Sequence, residues 1–180
     1  MEKRRMQPKK IAFMGIMLAL ILLLVWLERM LPPLPFLPPT MKLGLSNIVV
    51  MFSIFFIGKK EAVTLVVLKA LFNVLMRGPI GGALSLTGGL LSVFAIILVL
   101  WLTKNKASFI FLGIVGAIFH NAGQLVVFCI VMQTWRLFLF YAPALLIAGS
   151  ILGTLTGTLL KVVLPALQRA HVSFTGSKRT

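Results

Sequence analysis

The sequence predicts an all-α polytopic membrane protein, a bundle of six transmembrane helices, and three observations carry that reading. Hydrophobic residues fill 59% of the 180 positions and charged residues only 12%, with a mean hydropathy of +1.06, too apolar for a surface that meets water on all sides. At roughly 20 helical residues per crossing of a hydrocarbon core about 30 Å thick, the apolar runs supply about six crossings and leave no length for a soluble domain. The basic residues fall in the breaks between those runs and in the two tails, where topogenic charges are placed.

The first predicted helix covers residues 11–30. It follows a basic tail, as the core of a secretory signal does, but it is too long for one, and Pro32, Pro33 and Pro35 stand where a small-residue cleavage site would be. It therefore reads as a retained helix, stopped by Pro32, Pro33, Pro35, Pro38 and Pro39, which force an extended, stiff loop. Residues 41–57 and 62–76 form the second and third predicted helices, ended by Gly58-Lys59-Lys60 and Arg77-Gly78-Pro79, and both are short for a full crossing. Gly81, Gly82, Gly88 and Gly89 predict an irregular approach to a fourth helix that is regular over 90–103. Lys104-Asn105-Lys106 closes it; a fifth helix follows over 107–132 and a sixth over 137–164. The domain reading is a basic cytoplasmic tail over 1–10, the membrane domain over 11–164, and a polar cytoplasmic tail over 165–180.

With the N-terminus inside, the inner segments hold 13 basic residues: Lys3, Arg4, Arg5, Lys9, Lys10, Lys59, Lys60, Lys104, Lys106, Lys161, Arg169, Lys178 and Arg179. The outer segments hold 4, namely Arg29, Lys42, Arg77 and Arg136. That asymmetry predicts a cell-membrane protein with an even number of spans and both termini in the cytoplasm. It also accounts for the net charge of +15 without a nucleic-acid partner, since no single basic face is assembled.

Lys69 is the sharpest single feature, because an ammonium near mid-membrane costs on the order of 2.5 to 3.5 kcal/mol even on lenient insertion scales. Asn73 and Arg77 follow at spacings of four and eight, so the three share one helix face. His120 and Gln124 stand one turn apart on the fifth predicted helix, beside Asn121. The chain has three acids, Glu2, Glu28 and Glu61, and no aspartate, so the expected site is a donor-rich, acid-free cavity suited to an anionic or carbonyl-bearing small molecule. The alternatives are that Lys69 snorkels and that the helix 5 cluster is interhelical packing glue. If Lys69 binds the ligand, Lys69→Met is expected to keep the fold and abolish binding.

Small residues recur at packing distance, as Ala12, Gly15 and Ala19 on the first helix and Gly149, Gly153 and Gly157 on the sixth. The sixth-helix face is expected to meet another helix of this chain, and the first-helix face either that or a second protein. There is no GxxxxGK[ST] phosphate loop, no catalytic carboxylate pair, no HExxH or cysteine–histidine metal set, and Cys129 is the lone cysteine. The reading is therefore not an enzyme, with no cofactor and no metal.

Several short motifs in order, Lys42-Leu43-Gly44-Leu45-Ser46-Asn47, Lys69-Ala70-Leu71-Phe72-Asn73 ending in Arg77-Gly78, Leu86-Thr87-Gly88-Gly89 and His120-Asn121-Ala122-Gly123-Gln124, resemble the Gx transporter family, also labelled heptaprenyl diphosphate synthase component I. The resemblance covers most of the chain. The six-helix plan with a long first outer loop is also similar to the substrate-binding S components of energy-coupling-factor vitamin transporters. That likeness implies a small-molecule substrate bound from outside and a partner, an energy-coupling transmembrane subunit with ATPases, docked through the first helix. Those partners are typically met by an AxxxA pattern, which Gly15 to Ala19 matches imperfectly. Lys69, Asn73, His120, Asn121 and Gln124 are expected to line the binding site together with Asn47 from the first motif, with Arg77 and Lys42 at its outer mouth and the proline loop as its gate. The synthase label implies prenyl elongation, which uses aspartate-rich magnesium sites; a chain without aspartate would serve there as an accessory, not as the catalyst.

Overall fold

The computed structural model describes residues 8–30 and 44–175, of which the side chains of 29, 170, 171 and 173–175 are not described. The described residues form five helices and no strand: α1 (Pro8–Met30), α2 (Ser46–Phe56), α3 (Lys59–Leu102), α4 (Phe109–Val131) and α5 (Arg136–Thr175). Four of them, all but the 11-residue α2, are long and apolar enough to cross a membrane. The described residues are thus all-helical, with the long apolar helices of a membrane protein. The expected proline loop and Lys42 lie outside the described residues.

The expected count of six helices is corrected to five, because the third and fourth predicted helices form one 44-residue element. Only Gly78 departs from helical geometry within it, at φ 75 and ψ −179, next to Pro79. The positive φ is one that glycine adopts without a Cβ clash, and it folds the element back on itself. The amide of Asn73 donates to Ser85 Oγ across that bend at 3.2 Å, and a Cβ on Gly89 would lie 2.5 Å from Val66 Cγ1. In a straight helix residues 66 and 89 would be roughly 35 Å apart. The glycine run expected to be irregular is instead helical. Its glycines are buried at contacts where a side chain has no room: a Cβ on Gly82 would meet Val74 Cγ2 at 2.1 Å.

Antiparallel packing orders the rest. Gly149, Gly153 and Gly157 of α5 lie against Ile118, Ile114 and Ile110 of α4, with a Gly153 Cβ only 2.3 Å from the Ile114 Cα, so the small-residue face on the last helix meets a helix of this chain as expected. Gly88 of α3 packs on His120 and Gly116 on Ser92 and Ile96, which sets the second arm of α3 antiparallel to α4. Lys10 at the start of α1 pairs with Glu61 at the start of α3, and Glu28 near the end of α1 accepts from the backbone N–H of Leu45 just before α2. These contacts bring residues 10, 61, 109 and 157 toward one end of the bundle, and 28, 45, 78 and 132 toward the other.

The core is apolar and aromatic: Phe13, Met17 and Ile21 of α1, Val49 and Phe52 of α2, Leu65 and Val66 of α3 and Leu112 of α4 are buried together. Phe52 stacks on Phe56 at 4.7 Å. The outer surface is just as apolar, with Leu75, Trp101, Leu139, Phe140 and Ile147 largely exposed, the inverse of a water-soluble surface. At the C-terminal end the structure corrects a second boundary. The sixth predicted helix was expected to stop at 164, yet α5 continues through Pro165 to Thr175, with Leu167 packed into the main core.

Candidate functional site

Within this apolar bundle the polar side chains gather near the bend in α3. Lys69 is 5% exposed and its ammonium donates to Asn47 Oδ1 at 3.2 Å. One turn on, Asn73 donates to the Lys69 backbone carbonyl at 2.9 Å and to Ser85 Oγ at 3.2 Å, which ties both arms of the bent helix together beside Lys69. On α4, the Gln124 amide and the His120 ring meet at 3.1 Å, Nε2 to Nε2. His120 Nδ1 lies beside Gly88, where an added Cβ would be 3.0 Å away, and has no hydrogen-bond partner among the described residues.

Lys69, Asn73, Arg77, Ser85, His120 and Gln124 line one space of about 390 Å³, part of it open to the outside. Arg77 is exposed at that cavity. A second space of about 380 Å³ is lined by Asn47, Asn121 and His120 with the apolar Ile48, Met51, Ile96 and Leu112. Gly44 and His120 border both. The structure therefore brings seven of the eight expected site residues to two adjoining cavities, and the eighth, Lys42, lies outside the described residues.

One expectation fails. The cavity is not free of acid: Glu28 of α1, 8% exposed, lines it and interacts electrostatically with Lys69. Glu28 also accepts from the Leu45 N–H, so it holds the start of α2 over the cavity while balancing the ammonium. Sequence reasoning missed it because α1 is apolar all round. The signal that would have found it is the buried stripe Phe13, Met17, Ile21, Val25, which continues at helical spacing to position 28. Three buried polar atoms of the cavity lining, Ser46 Oγ, His120 Nδ1 and Gln124 Oε1, have no hydrogen-bond partner among the described residues. Such groups cost about 1–3 kcal/mol each when left unmet, and they mark where a bound molecule or water is accommodated.

No group of three or more histidine, cysteine, aspartate or glutamate side chains able to hold a metal ion occurs among the described residues. On α1, Ala12, Gly15 and Ala19 all face outward, and a Cβ on Gly15 would meet nothing within 4 Å. That small-residue face is therefore not spent on packing among the described residues. Comparison with known proteins finds a family model described as heptaprenyl diphosphate synthase component I that matches residues 17–163. No curated protein and no solved structure matches the chain.

Proposed function

We propose that this chain, which belongs to the heptaprenyl diphosphate synthase component I family, is an integral membrane transport protein of the substrate-binding kind, taking a small metabolite from outside into the cavity at Lys69. The observation that carries the reading is the cavity itself. A lysine, a glutamate, a histidine, an asparagine and a glutamine are buried together inside a bundle whose core and outer surface are apolar. Intramembrane ionisable groups of this kind mark substrate paths far more often than they serve packing. Hydrogen bonds between helices account for Asn73 and Ser85, but not for the unmet Ser46 Oγ and Gln124 Oε1.

In this reading the two arms of α3 each make a passage and the short α2 completes the return of α1, giving six passages with both termini in the cytoplasm. The pairing of Lys10 with Glu61 supports it, since it puts the starts of α1 and α3 at one level. The outward small-residue face of α1 is the surface on which an energy-coupling subunit with its ATPases would dock. No phosphate loop exists in the chain itself, so any ATP-driven step belongs to such a partner.

The family description favours a second reading, a non-catalytic membrane accessory of heptaprenyl diphosphate synthesis. Co-purification from native membranes separates the two. An ATPase-containing complex supports the transport reading, and a soluble prenyl synthase bound in its place overturns it.

A further inference from the structure

The polar cavity holds a buried acid as well as a buried lysine, and that bears on what it binds. Were Lys69 alone there, an anion would be its natural counter-charge. A resident acid shares the space, however: Glu28 lines it and is buried like Lys69. A carboxylate or phosphate entering the same space would sit near Glu28, like charge against like charge with little water to screen them. Arg77, the remaining cation of the lining, is exposed at the cavity's edge and not buried with the others.

The unmet groups point to a particular complement. Gln124 meets His120 through its Nε2, an amide nitrogen that can only donate, so the ring takes that bond at its own Nε2 and leaves Nδ1 without a partner among the described residues. Gln124 Oε1 is then an acceptor in search of a donor, and Ser46 Oγ can take or give. Lys69 retains N–H donor capacity beyond its bond to Asn47. The lining thus offers an acceptor and a donor side by side.

Building on the transport reading, we infer that the cavity recognises an uncharged carbonyl compound bearing its own N–H, of the amide or imide class. Its oxygen is met by Lys69 and its N–H by Gln124 Oε1 and Ser46 Oγ. A bare carboxylate or phosphate is disfavoured by Glu28, and an apolar remainder of the molecule can extend past His120 toward Met51, Ile96 and Leu112.

The test is equilibrium dialysis of the full-length protein in lipid nanodiscs against an equimolar mixture of benzamide, nicotinamide and succinamide with benzoate, nicotinate and succinate, read by mass spectrometry against empty nanodiscs. The amides are expected to be retained at least tenfold over their acids. Glu28→Gln should narrow that preference at least threefold by admitting the acids. Gln124→Met should lower amide retention at least tenfold with an unchanged melting temperature. Equal or greater retention of the acids by the wild type, or a preference untouched by Glu28→Gln, overturns the inference and leaves the transport reading standing. Retention of nothing above the blank overturns both.

Discussion

Replacing Lys69 by methionine keeps the length of the side chain and removes its charge, and on sequence grounds alone it should be harmless to the fold. The structure predicts otherwise. Lys69 and Glu28 are 5% and 8% exposed and face each other's charge across one cavity, and removing one member of a buried pair costs about 3–5 kcal/mol, because the remaining charge loses its compensation. The double variant Lys69→Met/Glu28→Gln removes both charges. It retains an acceptor for the Leu45 N–H and loses the bond from Lys69 to Asn47, together about 1–2 kcal/mol. With each single variant costing about 3–5 kcal/mol and the double only about 1–2, the cycle should show a favourable coupling of roughly 4–9 kcal/mol. Reversible unfolding in bicelles, followed by tryptophan fluorescence for the wild type, both single variants and the double, measures it. Additive single effects, or a Lys69→Met protein as stable as the wild type, would refute the pairing.

Three further outcomes follow from the packing and the charges. Gly153→Leu should destabilise the protein by about 1–3 kcal/mol through overpacking, since its Cβ would meet the backbone of Ile114 and Gly113 at 2.3 and 2.7 Å; Gly15→Leu, where a Cβ meets nothing, should leave the melting temperature unchanged and reduce co-purification of a membrane partner. Reporter fusions after Thr103 and Thr180 should both report a cytoplasmic location, and an outside signal from the second would make the number of passages odd. The purified chain should show neither prenyl transferase nor ATPase turnover, and magnesium-dependent activity that survives removal of contaminants would contradict the non-catalytic reading.

Much of the architecture is legible in local pattern. The helix expected over 107–132 is found as Phe109–Val131, because a polar break precedes it, with the Ser108 hydroxyl accepting from the Phe111 N–H, and Gln133 follows at φ 53. Where the reading failed, tertiary contact decided. Gly81, Gly82, Gly88 and Gly89 carry the local signature of a helix breaker, yet they are helical because each lies where another helix, or the other arm of α3, approaches too closely for a side chain. The bend falls at Gly78, within the Arg77-Gly78-Pro79 break where the sequence ends the third helix, and Gly78 is the one glycine of α3 with positive φ. The site shows the same division. Spacing along single helices grouped Lys69 with Asn73 and His120 with Gln124. No spacing within one helix could say that Asn47 of α2 would receive the Lys69 ammonium, or that Glu28 of α1 would stand across from it.

The central claim is that the cavity at Lys69 holds a ligand and is not packing alone. Native mass spectrometry of the protein released from its own membranes tests it most directly, with the wild type compared with the Lys69→Met/Glu28→Gln double variant. The wild type should carry a defined small molecule that the folded double variant has lost. A wild type that carries nothing, or the same molecule held equally by both proteins, would contradict the account.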